Sequence, residues 1–411
     1  MRRWLCVLVS LLLLCSLLPV SALAREITLA SEAAVLMDAQ TGQILFDKNM
    51  EEQLYPASIT KVMTALVALK HSKPADTVTM TQEGFNQVPR TSSHIALYPG
   101  EEFSMEDAMY ALALMSANDA AVAIAEAVGG TVEEFCDMMN EEAIALGAIN
   151  THFSNPNGLP AEDHYTTARD MALITAAALE QEDFLTYFGA TDYLMPATNL
   201  SGPRELVSKN QFIDGTIPCE GLLMSKTGWT SSAWGTLVTA AKQGDTTLVA
   251  VTMKSALLED KYADTSILLD YGFTAFRRVQ LTEGRMQRKM TEQGLERGAK
   301  FRGFEPVNVL LPIADGEGDI AVTVPGGFDG SIGLSAVPVS IHAKTEEGDW
   351  LHIVDLVLSI EEAPEEEIEV LGVEEPPEEP QEGLHPGVLL LLGAGAVALA
   401  GFWFSKRKEK V

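Results

Sequence analysis

Tyr55-Pro56-Ala57-Ser58-Ile59-Thr60-Lys61-Val62-Met63-Thr64 is the stretch on which the reading of this chain turns. Ser58 and Lys61 lie three apart at the start of an apolar helical pattern over 58–71, carried by Val62, Met63, Ala65, Leu66, Val67 and Leu69. Residues i and i+3 share a helix face, so hydroxyl and amine can be within hydrogen-bonding reach. Pro56 suits a helix start, where the first backbone N–H groups lack intrahelical partners. The Ser58 N–H can then face a substrate carbonyl oxygen and form half of an oxyanion hole. A serine is a weak nucleophile until a base takes its proton. Lysine can be that base only if burial or a neighbouring cation lowers its pKa. Taken alone, the tetrapeptide reads better as a capping serine followed by a solvated lysine.

Two further motifs change that balance. Ser116-Ala117-Asn118 follows a helical pattern at 105–115 and precedes another at 119–128. A tight Ser-x-Asn turn can aim both side chains into one cleft, Ser116 to pass a proton and Asn118 to bond a substrate amide. Alone, it is an ordinary cap between helices. Lys226-Thr227-Gly228 precedes an expected strand, and Gly228 lets a substrate lie close to the backbone. Lys226 and Thr227 offer a charge and a hydroxyl suited to a carboxylate, and Lys226 would help keep Lys61 neutral. Together the motifs describe an acyl-transfer site that uses lysine where other hydrolases use histidine.

Around them, strand-like runs at 33–38 and 42–46 flank a turn at 38–42, and helical patterns follow at 132–146 and 167–180. Late strands are expected at 235–241 and 247–253. Strands at both ends with a helical middle predict an α+β domain over 25–276, an antiparallel sheet flanked by helices. Short alternating runs at 307–311, 320–324 and 337–341 predict a small C-terminal all-β domain over 277–360. Residues 361–386 are acidic and proline-rich, too poor in large apolar residues to bury a core, and read as a disordered linker.

The ends predict export. Met1-Arg2-Arg3, an apolar run over 4–18 and Ala22-Leu23-Ala24 read as a signal peptide over 1–24, with an uncleaved anchor as the alternative. Residues 388–404 are 17 uninterrupted apolar or small residues, followed by Ser405-Lys406-Arg407-Lys408. This pattern predicts a transmembrane helix at 387–404 with a cytoplasmic tail at 405–411 and the folded part outside; a buried core helix is the alternative. The chain carries 28 Lys and Arg against 58 Asp and Glu, a net charge of −30. That excess excludes nucleic acid as an expected partner and electrostatic adhesion to anionic lipid. Cys6 and Cys15 leave with the signal, and Cys136 and Cys219 either pair or remain as small unpaired core residues. No C-x-x-C or H-E-x-x-H pattern occurs, so neither a metal nor any other cofactor is expected.

The three motifs in this order resemble those of the S-x-x-K enzymes, and specifically the serine-type D-Ala-D-Ala carboxypeptidases, the low-molecular-mass penicillin-binding proteins of peptidase family S11. The likeness extends to Met37-Asp38-Ala39-Gln40-Thr41-Gly42, Pro99-Gly100-Glu101, Ser116-Ala117-Asn118-Asp119-Ala120-Ala121, Phe153-Ser154-Asn155-Pro156-Asn157-Gly158-Leu159 and Thr167-Ala168-Arg169-Asp170-Met171. It implies that Ser58 forms the acyl-enzyme, Lys61 accepts its proton and Ser116 relays protons. Lys226 would bind the terminal carboxylate of a peptidoglycan stem peptide ending in D-Ala-D-Ala, and the Trp229 N–H would be the second oxyanion donor. Asn118, Thr227 and Gly228 complete the expected substrate-binding set, and β-lactam antibiotics are expected covalent ligands. One departure stands out: where the family has Asp-Gly-x-Lys-Thr-Gly, here Leu222-Leu223-Met224-Ser225 separates Glu220-Gly221 from Lys226. That insertion implies a shifted strand or a longer turn. A β-lactamase would share the motifs but needs a deacylating glutamate; Glu162 is present without an E-x-x-L-N pattern. A β-lactam sensor that acylates and turns over poorly is the other alternative.

Overall fold

The structure is a computed structural model and describes residues 27–292, 300–302, 306–313, 320–323, 336–344 and 350–361. The expected signal peptide, linker, transmembrane helix and basic tail lie outside these residues, apart from Glu361 at the edge of the linker. Among the described residues, no helix is long and apolar enough to cross a membrane.

Along the chain, β1 (Ala33–Asp38) and β2 (Ile44–Lys48) form a hairpin, and short pairs follow as β3 (Thr77–Thr79) with β4 (Glu102–Ser104) and β5 (Asp192–Met195) with β6 (Arg204–Val207). Strands β7 (Leu222–Thr230), β8 (Trp234–Gln243) and β9 (Thr246–Ser255) return to β1. The result is a five-stranded antiparallel sheet in the order β2-β1-β9-β8-β7. Every residue of β1 is buried because both faces of the sheet are covered. Ala33, Val35 and Met37 point into one core, Ala34 and Leu36 into the other, as the two-residue strand period requires.

The first core holds the helices Lys61–His71, Met105–Leu114, Asn118–Gly129, Val132–Ala145 and Ala168–Leu179. The first of these is buried at every residue from Lys61 to Ala68, the pattern of a helix packed on all sides. Caps set the helix starts: Ser104 and Asp107 form a reciprocal capping box, while Thr131 and Thr167 accept from the N–H groups of Glu134 and Asp170. The second core is closed by the helix Asp260–Ala275 and by Phe276 and Leu310.

Beyond it, β10 (Phe276–Leu281) pairs with β12 (Val307–Pro312), and β11 (Lys300–Arg302), β13 (Ile320–Thr323), β14 (Ala336–Lys344) and β15 (Trp350–Glu361) form a sheet in the order β11-β15-β14-β13. The all-β expectation for 277–360 is corrected here, because Glu283–Glu292 is a helix. Its run of glutamate, arginine, methionine and lysine consists of strong helix formers, and Met286 supplies a buried anchor. The turn between β1 and β2 meets this segment through a joint. Arg278 Nη2 and Nη1 donate to the Asp38 carboxylate at 2.8 and 3.2 Å. Gln43 donates from Nε2 to Leu310 O at 2.7 Å and accepts from Leu310 N at 2.9 Å. Cys136 and Cys219 are free thiols, and burial pushes that of Cys136 up to about 12.

Candidate active site

Ser58 sits in a 3-10 turn, Ala57–Thr60, and the α-helix begins only at Lys61. The expected helix over 58–71 is therefore tighter in its first turn. Ala57 takes φ +51°, a left-handed conformation that a non-glycine residue adopts only under strain. The turn is clamped from two sides. Thr236 Oγ1 on β8 donates to Pro56 O at 2.9 Å, and Gly158 lies so close beneath that any side chain there would collide with Ala57 O.

The Lys61 side chain is wholly buried, with Nζ 3.1 Å from Ser58 Oγ, 2.6 Å from Asn118 Oδ1 and 2.6 Å from Asn157 O. Burial holds its pKa well below the usual lysine range; the charge of Lys226 lowers it further and Asp119 opposes both. As a neutral amine, Lys61 has two N–H donors and one lone pair. Asn118 and Asn157 accept the two donors, which leaves the lone pair for the Ser58 hydroxyl proton. That is the geometry of a general base.

Ser116 follows the helix Met105–Leu114 with φ +52°, the left-handed turn that helix ends usually assign to glycine. The turn swings Ser116 and Asn118 toward Lys61 and Lys226. The Asn118 Oδ1 serves Lys61, so its Nδ2 is the part that faces a substrate. Behind it, the buried Asp119 carboxylate accepts from the N–H groups of Ile95 and Leu97 at 3.2 and 3.0 Å, and Asn118 N donates to Ser93 O at 2.8 Å. The wall at 93–97 is thereby tied to the motif.

Lys226, Thr227, Gly228 and Trp229 lie inside β7 and not ahead of it. The insertion before Lys226 is absorbed by a bulge: Leu222 pairs with Ala241 and Met224 with Ala240, leaving Leu223 unpaired. From Ser225 to Thr230 the pairing with β8 is then regular, and β7 is the sheet edge facing Ser58. Gly228 is required there, because an added Cβ would lie 2.8 Å from Ser58 N and would strike Thr236 Oγ1. Lys226 Nζ donates to Ser116 Oγ at 3.0 Å and to Thr227 O at 2.7 Å.

Burial, aided by Lys261, lowers the Lys226 pKa to about 7. Lys226 is therefore not a fixed charge in the empty site; burial leaves it a cation only below about pH 7. Lys261, on the helix Asp260–Ala275, is itself buried and lowered to about 8 by that burial.

The pattern reading missed three groups. Asn157 contributes through its backbone carbonyl, which no side-chain motif reports, although Asn155-Pro156-Asn157-Gly158 is a recognisable turn. Lys261 is a lone lysine in an unrecognised helix. His164 donates from Nε2 to Thr60 Oγ1 at 2.9 Å while Nδ1 accepts from Ser154 N at 3.1 Å. Burial lowers its pKa to about 4, so it is a neutral strut beneath the serine turn. Among the described residues, no carboxylate is hydrogen-bonded to Ser58 or Lys61, and no group of side chains could hold a metal.

A family model described as D-alanyl-D-alanine carboxypeptidase, Peptidase S11, matches residues 20–256. The chain is 32% identical over 308 residues to the D-alanyl-D-alanine carboxypeptidase DacF of Bacillus subtilis, covering 73% of this chain and 76% of the relative. With DacC of Escherichia coli it shares 35% over 263 residues, or 61% of this chain and 62% of the relative. In three dimensions it resembles a mutant of the Streptomyces K15 DD-transpeptidase, with a TM-score of 0.56, 27% identity, and coverage of 60% of this chain and 98% of that one. A carboxypeptidase from Francisella tularensis, at 19% identity and TM-score 0.63, shares the fold over 82% of this chain and 95% of its own.

Proposed function

The chain belongs to the D-alanyl-D-alanine carboxypeptidase family, peptidase S11, and on that premise we propose the roles of its residues in the reaction. It is a serine hydrolase, a D-Ala-D-Ala carboxypeptidase that binds penicillins and acts on peptidoglycan stem peptides. Ser58 Oγ attacks the carbonyl carbon of the penultimate D-Ala while its proton passes to Lys61 Nζ. The resulting oxyanion is held by the N–H groups of Ser58 and Trp229. The C–N bond then breaks, and the leaving amine of the terminal D-Ala takes a proton from Lys61 by way of Ser116. Water completes the cycle by attacking the ester, with Lys61 again taking the proton and Ser58 regaining its hydroxyl.

Lys226 and Thr227 bind the terminal carboxylate. Gly228 gives the peptide access to the β7 edge, and the Asn118 amide nitrogen meets a substrate carbonyl. The observation that carries this reading is the Lys61 amine, bound by two acceptors and 3.1 Å from Ser58 Oγ.

The setting is an exported protein: a signal peptide over 1–24, a catalytic domain over 25–276, a second domain over 277–360, a linker over 361–386, a single membrane span over 387–404 and a cytoplasmic tail over 405–411. It is supported by the sequence pattern of the two ends and by a cell-wall substrate that lies outside the membrane. Mass spectrometry of stem peptides incubated with the protein tests the reading. Loss of one terminal D-Ala is expected, together with covalent penicillin labelling that disappears in Ser58→Ala. Labelling that survives the substitution would place the nucleophile elsewhere.

A further inference from the structure

Pro99-Gly100-Glu101 takes no part in the reaction described above, yet the Glu101 side chain is wholly buried. It closes a wall on which the site depends. Asn118 N donates to Ser93 O at 2.8 Å, and the Asp119 carboxylate accepts from Ile95 and Leu97. From Val88 to Glu101 that wall is neither helix nor strand, and Ala96 stands at φ +60° in the left-handed region. A segment without a backbone ladder, strained at a non-glycine residue, keeps its shape only through partners outside itself.

Those partners come from the β5–β6 hairpin. Arg204, the first residue of β6, lays its guanidinium across Glu101, with Nη1 2.7 Å from Oε1 and Nη2 donating to Oε2 at 3.1 Å. Nη2 also donates at 3.3 Å to the carbonyl of the strained Ala96. Glu101 accepts further from Tyr98 N at 2.9 Å and, from the turn of the hairpin, from Thr198 Oγ1 at 2.7 Å. Beside Thr198, Asn199 accepts from Glu102 N and donates to Gly100 O, both at 2.9 Å. Burial alone would raise the Glu101 pKa; the bonds from Arg204 and Thr198 outweigh it and hold the group below the usual carboxylate range. A planar fork on both oxygens fixes direction as well as distance, which a point charge does not.

The hairpin is anchored at its other end to the strand that carries Lys226. Three residues past β6, Asn210 Nδ2 donates to Ser225 Oγ at 2.9 Å, and Ser225 precedes Lys226 on β7. Gln211 N donates to the Tyr262 hydroxyl at 3.2 Å. The chain from 192 to 212 therefore joins the Asn118 side of the site to the Lys226 side by a path that avoids Ser58. A shift of the wall would carry Asn118 with it, and Asn118 Oδ1 is one of the two acceptors that orient the Lys61 amine.

We propose that Arg204 is a positioning residue for acylation: through Glu101 and Ala96 it fixes the wall at 93–101, and the wall fixes Asn118 against Lys61. The inference rests on the roles given above to Asn118 and Lys61.

A double-mutant cycle with a fluorescent penicillin tests it, read as the limiting acylation rate at a temperature where circular dichroism shows each variant folded. Arg204→Met should slow that rate by about 10- to 100-fold, the cost of a displacement near 1 Å, and leave penicillin affinity nearly unaltered. Arg204→Lys keeps the charge without the fork and should lie between Arg204→Met and wild type. Arg204→Met/Asn118→Ala should be no slower than Asn118→Ala alone, because the first change acts through the second residue. Rate losses that multiply, or wild-type acylation in folded Arg204→Met, would overturn the assignment. Should Arg204→Met not fold, Arg204→Lys carries the same cycle with a smaller loss. Wild-type acylation by Asn118→Ala would instead overturn the reading of Asn118 beneath the proposal.

Discussion

Two places in the molecule gather charged side chains out of water, and they use them differently. At the joint between the β1–β2 turn and β10, Asp38 is buried and Arg278 half-buried, and each answers the other's charge. Gln43 closes the same joint with two further hydrogen bonds to Leu310. Around Ser58 the opposite holds: Lys61, Lys226 and Lys261 are all buried, and the electrostatic influences among them are like on like. Burial alone therefore does not mark a working site. Where opposite charges meet, buried ions hold structure; where amines are desolvated together, burial first and the neighbouring cation second make them shed protons and become available for transfer. The same fold needs both kinds of place, and the first secures the sheet that carries the second.

The comparison can be broken most sharply at its reactive end. Lys61→Arg keeps a cation but cannot release its proton at working pH, and peptide hydrolysis should fall by on the order of 10²–10⁴-fold, the usual yield of a general base. Steady-state rates on a D-Ala-D-Ala peptide measure it, and near-normal turnover would remove Lys61 as the base. Gly228→Ala should cost roughly 10²–10³-fold in penicillin acylation rate, because the added methyl presses on the Ser58 N–H that serves as an oxyanion donor. If acylation is unaffected, the edge of β7 is not where the carbonyl lies.

Lys226→Ala should impair hydrolysis of free D-Ala-D-Ala peptides over amidated ones by about 10- to 150-fold in the rate ratio, the range for a buried charged hydrogen bond. Equal losses on both would leave Lys226 only the task of tuning Lys61. The pH profile of kcat/KM sharpens this point. Lys61 is lowered and must be neutral to act, so the acid limb is its protonation. Lys226 must be charged to hold a carboxylate, so activity on free-acid peptides should decline as pH rises through about 7. An amidated substrate should lack that alkaline limb.

At the structural end, Arg278→Ala strands the Asp38 carboxylate and should cost about 3–5 kcal/mol in urea unfolding. Penicillin acylation by the folded protein should change little. Loss of acylation at temperatures where the variant is folded would show that joint and site are coupled.

Much of this was legible in advance, for identifiable reasons. The helices Met105–Leu114 and Ala168–Leu179 have serine or threonine caps ahead of apolar repeats, and β1 and β9 are short apolar runs ended by turns. The helix Asp260–Ala275 was not legible: it has no side-chain cap, and its Thr, Ser, Tyr and Gly are weak helix formers. Its stability comes from packing on the sheet, and Lys261 stayed hidden with it. The pairing of Ser58 with Lys61 followed from their i, i+3 spacing, while the assembly of Ser116 and Lys226 around them followed from the family resemblance of the three motifs. Asn157 did not, because a carbonyl oxygen belongs to every residue, and only the fold selects which one approaches an amine. The Lys226 charge state was likewise beyond pattern, since it depends on how completely the cleft excludes water.

Among the described residues β7 has no strand on its outer side, and that open edge has a consequence for association. An unpaired strand edge invites pairing with any extended chain, including other copies of the same protein, and ends in aggregation unless something blocks it. Here the block is built from the site's own walls, the Ala57–Thr60 turn on one side and the Ser116 turn on the other. Any chain that pairs with this edge must pass between those two turns. Access to the strand edge by a substrate and by a second chain is then governed by the same two turns.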